Sequence, residues 1–266
     1  MVQGAQRAID QFQAGRLEEA IRAAVEEVRQ RPTDLAARWV FCELLCLAGD
    51  LERADKQLDL LVTQDPSALA GISLFRQLIR AETARRQVFT EGRPPELFTE
   101  PSPDVPMRLK ALLAQREGRS ADVIALLDEA ESVRPHTTGS ITDGGVFDDF
   151  RDLDDLTAGV LEVHTPTGKY AWVPLNAIAT LEPRKPTRLR DLMWKPARLA
   201  VKGGQDGEIY LPALYHGTHH SADDRLRLGR LTNWVGRPVR GMGLKCFLVG
   251  EKSVPIAELQ PMTFAS

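Results

Sequence analysis

Three residue types recur at a spacing of 34 residues in the first quarter of the chain. The repeated residues are Gly15, Ala20 and Pro32, followed by Gly49, Ala54 and Pro66. This is the period of the tetratricopeptide repeat, in which paired antiparallel helices stack and bury a shared core. Glycine suits the left-handed turn that ends the first helix, and proline ends the second. Such repeats usually hold peptides or proteins, so the pattern predicts a binding role.

Apolar residues at helical spacing extend this pattern. The predicted helices span 5–14, 17–30, 34–48, 51–64 and about 67–89. Asp34 and Asp50 are suited to cap the second pair of helices. The last helix begins a third unit, but glycine and proline residues near 92–106 break the chain before a return helix. A looser hairpin follows, in which Gly118 and Pro135 keep the glycine-to-proline spacing of the two clear units.

The composition changes after Pro135. Residues 136–156 are acidic and contain glycines, which predicts a linker. The predicted strand pairs are 159–165 with 169–173, 197–201 with 208–211, and a hairpin that turns at 250–253. The predicted fold class is therefore α+β, with tetratricopeptide-like helical hairpins over 1–135 followed by a β-rich α+β domain over 157–266.

Composition favours a soluble protein of the cytoplasm. No apolar run approaches the roughly 20 residues that span a bilayer, and the first residues lack the apolar core of a secretory signal. Cys42, Cys46 and Cys246 form an odd set without a disulfide framework, which suits a reducing compartment. Cys42 and Cys46 are interpreted as small core residues on one helix. We predict no membrane partner.

One loop has the residue types of a metal site. It contains His216, His219 and His220, together with Asp223 and Asp224. Imidazole and carboxylate groups bind zinc, manganese or iron. However, glycine, serine and threonine surround them, so a surface loop is the favoured interpretation. We predict no catalytic residue and no cofactor, and a metal-dependent enzyme centred on these histidines stays as a remote alternative.

Two basic stretches, 184–202 and 225–245, require an explanation. With Trp194 and Trp234 they resemble nucleic-acid surfaces, where cations meet phosphates and aromatic rings stack on bases. The alternative is that the arginines cover sheet faces while the tryptophans fill the core. A nucleic-acid or regulatory binder is thus the second hypothesis, and an acidic protein partner is an intermediate one.

Five strings in the second half resemble a known family when they are taken together and in order. They occupy residues 168–174, 189–197, 207–215, 228–235 and 239–247. They are similar to the ImpE/TagJ family, the accessory proteins of bacterial type VI secretion systems, and the repeats fit too. The resemblance implies a non-enzymatic cytoplasmic adaptor. Such an adaptor binds an N-terminal helix of the small subunit of the contractile sheath. It is thereby linked to the AAA+ ATPase that disassembles the contracted sheath.

Repeat geometry suggests a groove in which a partner helix lies with its apolar face inward. The candidate lining residues belong to the first helices of the units: Phe12, Trp39, Glu43, Gln77, Arg80, Leu112 and Arg116. Trp39 and Leu112 are equally suited to the core between repeats. The β-rich domain is the rival docking surface, and the sequence does not choose between them.

Overall fold

The first half of the chain is helical. A computed structural model describes residues 5–265. Its helices here are α1 (Gln6–Gln13), α2 (Leu17–Gln30), α3 (Leu35–Leu47), α4 (Leu51–Gln64), α5 (Leu69–Glu91), α6 (Val105–Arg116) and α7 (Ser120–Val133). The pairs α1–α2, α3–α4 and α6–α7 pack as hairpins. Asp34 and Asp50 cap α3 and α4, since their carboxylates accept the backbone N–H groups of Ala37 and Arg53.

The recurring glycines lie at the turn between the two helices of each hairpin. Gly15, Gly49 and Gly118 have φ angles of +80°, +86° and +72°. This left-handed region is open to glycine but strained for a residue with a Cβ atom. Ala20 and Ala54 are fully buried, so the helices of each pair approach closely. The glycine and the alanine of the 34-residue pattern therefore each have a structural cause.

Three positions of the second helix are buried in every hairpin. They are Ala20, Ala24 and Glu27 in α2, Ala54, Leu58 and Leu61 in α4, and Val123, Leu127 and Ala130 in α7. Each set has the same spacing from its glycine. Helices α6 and α7 are thus a looser copy of the unit, with Val123 in the place of the alanine.

Helix α5 continues through the position at which the two preceding units turn. One period after Gly49 the chain has Thr83 instead of glycine, and α5 runs straight past it. Without a left-handed turn no return helix forms. The extension reaches the sheet, where Ala84 and Val88 are buried with Trp172. In the described chain the third unit therefore has a first helix and no second.

The second half is built around a sheet. The strands are β1 (Glu96–Leu97), β2 (Gly139–Ile141), β3 (Val146–Phe147), β4 (Phe150–Asp152), β5 (Val160–His164), β6 (Tyr170–Pro174), β7 (Ile178–Pro183), β8 (Trp194–Val201), β9 (Asp206–Pro212), β10 (Thr232–Val235), β11 (Arg240–Gly243), β12 (Cys246–Val249), β13 (Lys252–Pro255) and β14 (Met262–Phe264). The main sheet has the order β1-β6-β5-β9-β8-β7-β14-β2-β3, beside the sets β13-β12-β4 and β10-β11. The predicted hairpins are β5–β6, β8–β9 and β12–β13. These elements confirm the α+β class.

The predicted linker is part of the folded sheet domain. Residues 136–156 contain β2, β3 and β4. Phe147 and Phe150 are buried, and Phe150 stacks on Phe247 with the ring centroids 5.1 Å apart. The acidic composition misleads because four of the six aspartates in this segment accept hydrogen bonds from the rest of the fold. Asp149, for example, accepts hydrogen bonds from the Arg134 guanidinium at 2.6 and 2.9 Å.

The helices and the sheet share a core. Met193, Trp194, Tyr210 and Leu228 lie in the same buried cluster as the apolar residues of α1 to α5. The phenyl ring of Phe75 meets the indole of Trp194 edge to face, with centroids 6.0 Å apart. The halves are therefore packed together and not merely tethered. Among residues 5–265, no helix has the length and apolar character needed to cross a membrane.

Candidate partner-binding surface

A C-terminal segment lies along the turn of the first hairpin. We call residues 216–231 the clasp segment; it includes the short helix α8 (Asp224–Arg227). Its Arg230 guanidinium donates to the carbonyl oxygens of Phe12 and Gln13 at 2.6 and 2.9 Å. The Asp224 carboxylate accepts the Leu17 N–H at 2.7 Å. A cation thus meets the C-terminal end of α1 and an anion the N-terminal end of α2, as the helix dipoles favour.

The clasp segment also covers the second turn. The imidazole of His219 lies against Gly49, and a Cβ atom at that glycine would overlap the ring. The Arg86 guanidinium, from α5, donates to the carbonyl oxygen of Gly49 at 2.8 Å. By contrast, a Cβ atom at Gly118 would have no neighbour within 4 Å. The turns of the two clear repeats are therefore the ones that the clasp segment covers.

Two of the predicted groove residues lie beneath C-terminal arginines. The side chain of Phe12 is buried, and the Arg230 guanidinium lies 5.6 Å from its ring centroid. Trp39 stacks on Phe75 with centroids 5.7 Å apart, and Arg188 lies 5.7 Å from the indole. The chain's own residues therefore occupy this part of the predicted groove.

Glu43 and Leu112 are also buried within the chain. Burial raises the pKa of Glu43 to about 7, although the backbone N–H and the charge of Arg190 oppose the shift. Leu112 belongs to the core that α6 and α7 share with the sheet. The structure thus corrects the predicted groove at these positions, because other parts of the chain cover both side chains.

The remaining candidates are closer to solvent. Arg116 is exposed and donates to the carbonyl oxygen of Thr90 at 3.2 Å. Gln77 packs against the β5–β6 turn at Gly168, where its amide oxygen leaves no room for a Cβ atom. Arg80 is exposed. Within residues 5–265, its guanidinium has no hydrogen bond or ion pair, so it is the predicted residue best placed to meet a partner.

A buried set of four charges joins α5 to the sheet domain. We call Arg85, Asp152, Glu162 and Lys245 the ion cluster. Glu162 accepts from Arg85 at 2.7 Å and lies 2.7 Å from the Lys245 ammonium, which also donates to Asp152. Burial alone would raise the pKa of Glu162, but the charges of Arg85 and Lys245 outweigh burial and hold it well below its usual range. Two cations and two anions thus neutralise one another where water is excluded.

Two tyrosines complete the hydrogen bonding of the ion cluster. The Tyr170 hydroxyl donates to Glu162 at 2.6 Å, and the Tyr215 hydroxyl donates to Asp152 at 2.8 Å. Sequence analysis missed this cluster. A carboxylate in the apolar strand β5 was the available signal, because a buried carboxylate requires a buried cation.

Three imidazoles lie beside the ion cluster. His164, His216 and His219 have depressed pKa values of about 4, 3 and 4. Burial is the main cause in each case, and the nearby cations Arg85 and Arg86 add to it. Next to them, Glu82, Thr218 and Trp194 help to line a cavity of about 40 Å³. The imidazoles are therefore neutral in the folded protein near pH 7.

We expect stability to rise with pH between about 4.5 and 6.5. In this range the unfolded chain binds protons on His164, His216 and His219 with pKa values near 6.5, whereas the folded chain does not bind them until about 4 or below. Glu43 opposes the trend by one proton, because its pKa rises from 4.5 to about 7 on folding. Unfolding should thus take up close to two protons, because the three histidines bind three protons and Glu43 releases one.

Urea titrations between pH 4.5 and 7.5 would measure this uptake. The variant His164→Phe should lower it by about one proton, since the imidazole is fully buried and its pKa shift is large. His136→Phe is the matched control, because the His136 side chain is 78% exposed. An identical pH dependence in His164→Phe and the wild type would contradict the expectation.

The structure does not assemble a metal site from the histidine loop. His216 stacks on Phe89 with centroids 4.3 Å apart, and the rings of His219 and His220 lie 4.0 Å apart. Across the described residues, no group of three or more His, Cys, Asp or Glu side chains is placed to hold a metal ion. Cys42 and Cys46 are buried core residues, and burial raises the pKa of the Cys42 thiol to about 12.

Ion pairs inside the chain involve eight of the thirteen basic residues in the two basic stretches. The pairs are Arg184 with Glu208, Arg190 with Asp191, Arg198 with Asp206, Arg225 with Asp223, Arg227 with Glu18 and Asp224, Arg237 with Asp128, Arg240 with Asp154, and Lys245 with Asp152 and Glu162. Trp194 is buried, while Trp234 packs on Tyr215 and is 41% exposed. A nucleic-acid surface needs cations that are free for phosphates, so these pairs weaken the second hypothesis.

Known proteins resemble this chain over nearly its full length. The model of the family described as ImpE protein matches residues 144–263. The type VI secretion system accessory component TagJ of Pseudomonas aeruginosa strain PAO1 is 33% identical over 255 residues, covering 95% of this chain and 89% of that protein. A crystal structure of a Vibrio parahaemolyticus protein superposes with a TM-score of 0.90 at 31% identity and covers 97% of both chains.

The five strings that suggested a family thus lie within a similarity that includes the helical repeats. String 189–197 supplies Met193 and Trp194 to the core shared with the helices, and string 239–247 supplies Lys245 to the ion cluster. Extended similarity to a curated relative, together with the family model, identifies the family. The chain belongs to the ImpE/TagJ family.

Proposed function

We propose that this protein is a non-enzymatic accessory protein of a bacterial type VI secretion system. It acts in the cytoplasm as an adaptor that binds the N-terminal helix of the small contractile-sheath subunit. The observation that carries the proposal is the 33% identity to TagJ over 95% of the chain, since TagJ is named an accessory component of that system. The helical repeats support a binding role, because stacked hairpins present helix faces to other proteins.

In this proposal the protein assists the AAA+ ATPase that disassembles the contracted sheath. Holding one helix of the sheath subunit concentrates the subunit and the ATPase at one place, directly or through the sheath. The ion cluster and the clasp segment fix the helical repeats against the sheet domain, so the binding surface is presented as a rigid unit.

Binding of the purified full chain to the small sheath subunit of the same bacterium tests the proposal. The two halves share a core, so the intact protein is the appropriate sample. We expect a complex with the wild-type subunit, measured by calorimetry, and loss of that complex when the N-terminal helix of the subunit is deleted. An absence of binding to the wild-type subunit, or equal binding to the deleted form, would overturn the adaptor proposal.

A further inference from the structure

An open groove lies between α4 and α5 on the surface of the helical half. It has a volume of about 480 Å³. We call it the third-unit groove. Its lining residues are Leu51, Glu52, Asp55, Lys56, Arg76, Ile79, Arg80 and Thr83. Leu51 and Ile79 are the apolar residues of the lining and are themselves mostly buried. The groove thus has an apolar base and charged side chains along both helices.

The groove lies where the repeat pattern calls for a helix. Each of the first helices α1, α3 and α6 has a second helix packed against it, and α5 has none within residues 5–265. Thr83 lines the groove at the position where the preceding unit turns at Gly49. Because the chain does not turn at Thr83, the site of the second helix is left unfilled.

The residues of α5 that line the groove are more polar than their counterparts on α3, one period earlier. The second unit buries Cys42, Leu45 and Cys46 on α3. One period later α5 has Arg76, Ile79 and Arg80, so only the central position remains apolar. Such a surface is stable in water when the groove is empty and retains an apolar centre for a ligand. These differences suit a partner helix that binds reversibly in the groove, not a helix that is permanently packed there.

The ion pairs within the groove indicate which of its charged side chains can pair with a ligand. The Arg76 guanidinium is neutralised by Asp55 and Asp59, each 2.8 Å away. Lys56 is paired with Glu52. Arg80 is exposed and has no such partner among the described residues, so its guanidinium can pair with a carboxylate of a ligand next to the apolar base.

We propose that the third-unit groove docks an amphipathic α-helix of a partner protein. The helix takes the place of the missing second helix, with apolar side chains on Leu51 and Ile79 and a carboxylate opposite Arg80. The inference rests on the proposed function, which supplies the partner: the helix is the N-terminal helix of the small sheath subunit. It assigns the docking site to α4 and α5, away from the face covered by C-terminal residues.

Charge reversal at Arg80 tests the docking site. We expect Arg80→Glu, in the full chain, to weaken binding of the small sheath subunit at least tenfold. Arg29→Glu is the matched control, because Arg29 is an exposed cation on α2, outside the groove, and should leave the affinity unchanged. Replacing the acidic residues of the subunit helix by arginine, one at a time, should restore affinity to Arg80→Glu in at least one case.

A fluorescent probe in the groove gives a second, independent measurement. The three native cysteines are buried, so a thiol reagent should label Thr83→Cys selectively. Adding the sheath subunit should shift the emission of a bimane label at position 83 to shorter wavelength. The same label on Arg29→Cys should not respond.

The two experiments separate this inference from the proposed function. If the wild-type chain binds the subunit but Arg80→Glu binds equally well and the label at position 83 does not respond, the groove is not the docking site and the adaptor proposal stands. If the wild-type chain does not bind the subunit, the adaptor proposal itself fails. An equal loss of affinity in Arg29→Glu would also overturn the assignment, because it would show only a general effect of charge.

Discussion

Replacing Glu162 by glutamine is expected to lower the free energy of unfolding by about 3–5 kcal/mol. The carboxylate is 4% exposed and neutralises both Arg85 and Lys245. Glutamine keeps the size of the side chain but removes its charge, so the two cations face each other with only Asp152 and Glu82 near them. A buried charge without its counter-ion is among the most destabilising single changes in a folded protein.

Urea unfolding at pH 7, followed by circular dichroism, would measure this loss. Glu208→Gln is the matched control because it removes a carboxylate from an exposed ion pair, with Arg184 at 2.6 Å. Exposed pairs contribute about 0–1 kcal/mol, so the control should unfold near the wild-type midpoint. A loss below about 1 kcal/mol in Glu162→Gln would show that water reaches the ion cluster.

The ion cluster also joins the third unit of the helical half to the sheet domain. Arg85 belongs to the part of α5 that continues beyond the missing turn at Thr83, and Glu162 lies on β5. The absence of a glycine at position 83 therefore has two consequences. It leaves the third-unit groove open, and it extends α5 into the sheet domain, where Arg85 finds its counter-ion. A repeat that turned at position 83 would provide neither.

The repeats were predictable from the sequence because their signals are local. The left-handed turn at Gly49 and the capping carboxylate of Asp50 depend on residues a few positions apart. The break in the third unit was predictable for the same reason, since Gly92 and the prolines that follow it end a helix wherever they occur. The strand pairs of the sheet domain also follow from neighbouring segments.

The covered groove and the folded segment 136–156 were not predictable in this way, because their contacts span long distances in sequence. Arg230 reaches Phe12, and Asp152 pairs with Lys245. An acidic stretch has the composition of a linker until the partner cations are known. A phenylalanine in a first helix likewise suggests an open groove until an arginine more than 200 residues later is found on top of it.

Replacing Gly49 by alanine is expected to lower the free energy of unfolding by about 2–5 kcal/mol. The left-handed backbone at Gly49, with φ of +86°, costs alanine about 1–2 kcal/mol. The added methyl group also overlaps the imidazole of His219, and displacing a packed side chain costs about 1–3 kcal/mol more. Gly118→Ala is the matched control. It has the same strain at φ of +72° but no neighbour within 4 Å, so about 1–2 kcal/mol is expected.

A double-mutant cycle separates the two causes. In a His219→Ala background, Gly49→Ala should cost no more than Gly118→Ala, because only the backbone strain remains. Urea unfolding of the four proteins in the cycle, together with Gly118→Ala, would measure both terms. Equal losses for Gly49→Ala with and without the imidazole would mean that His219 does not press on the turn. The glycine at the second turn would then serve the repeat alone, and the clasp segment would contribute nothing there.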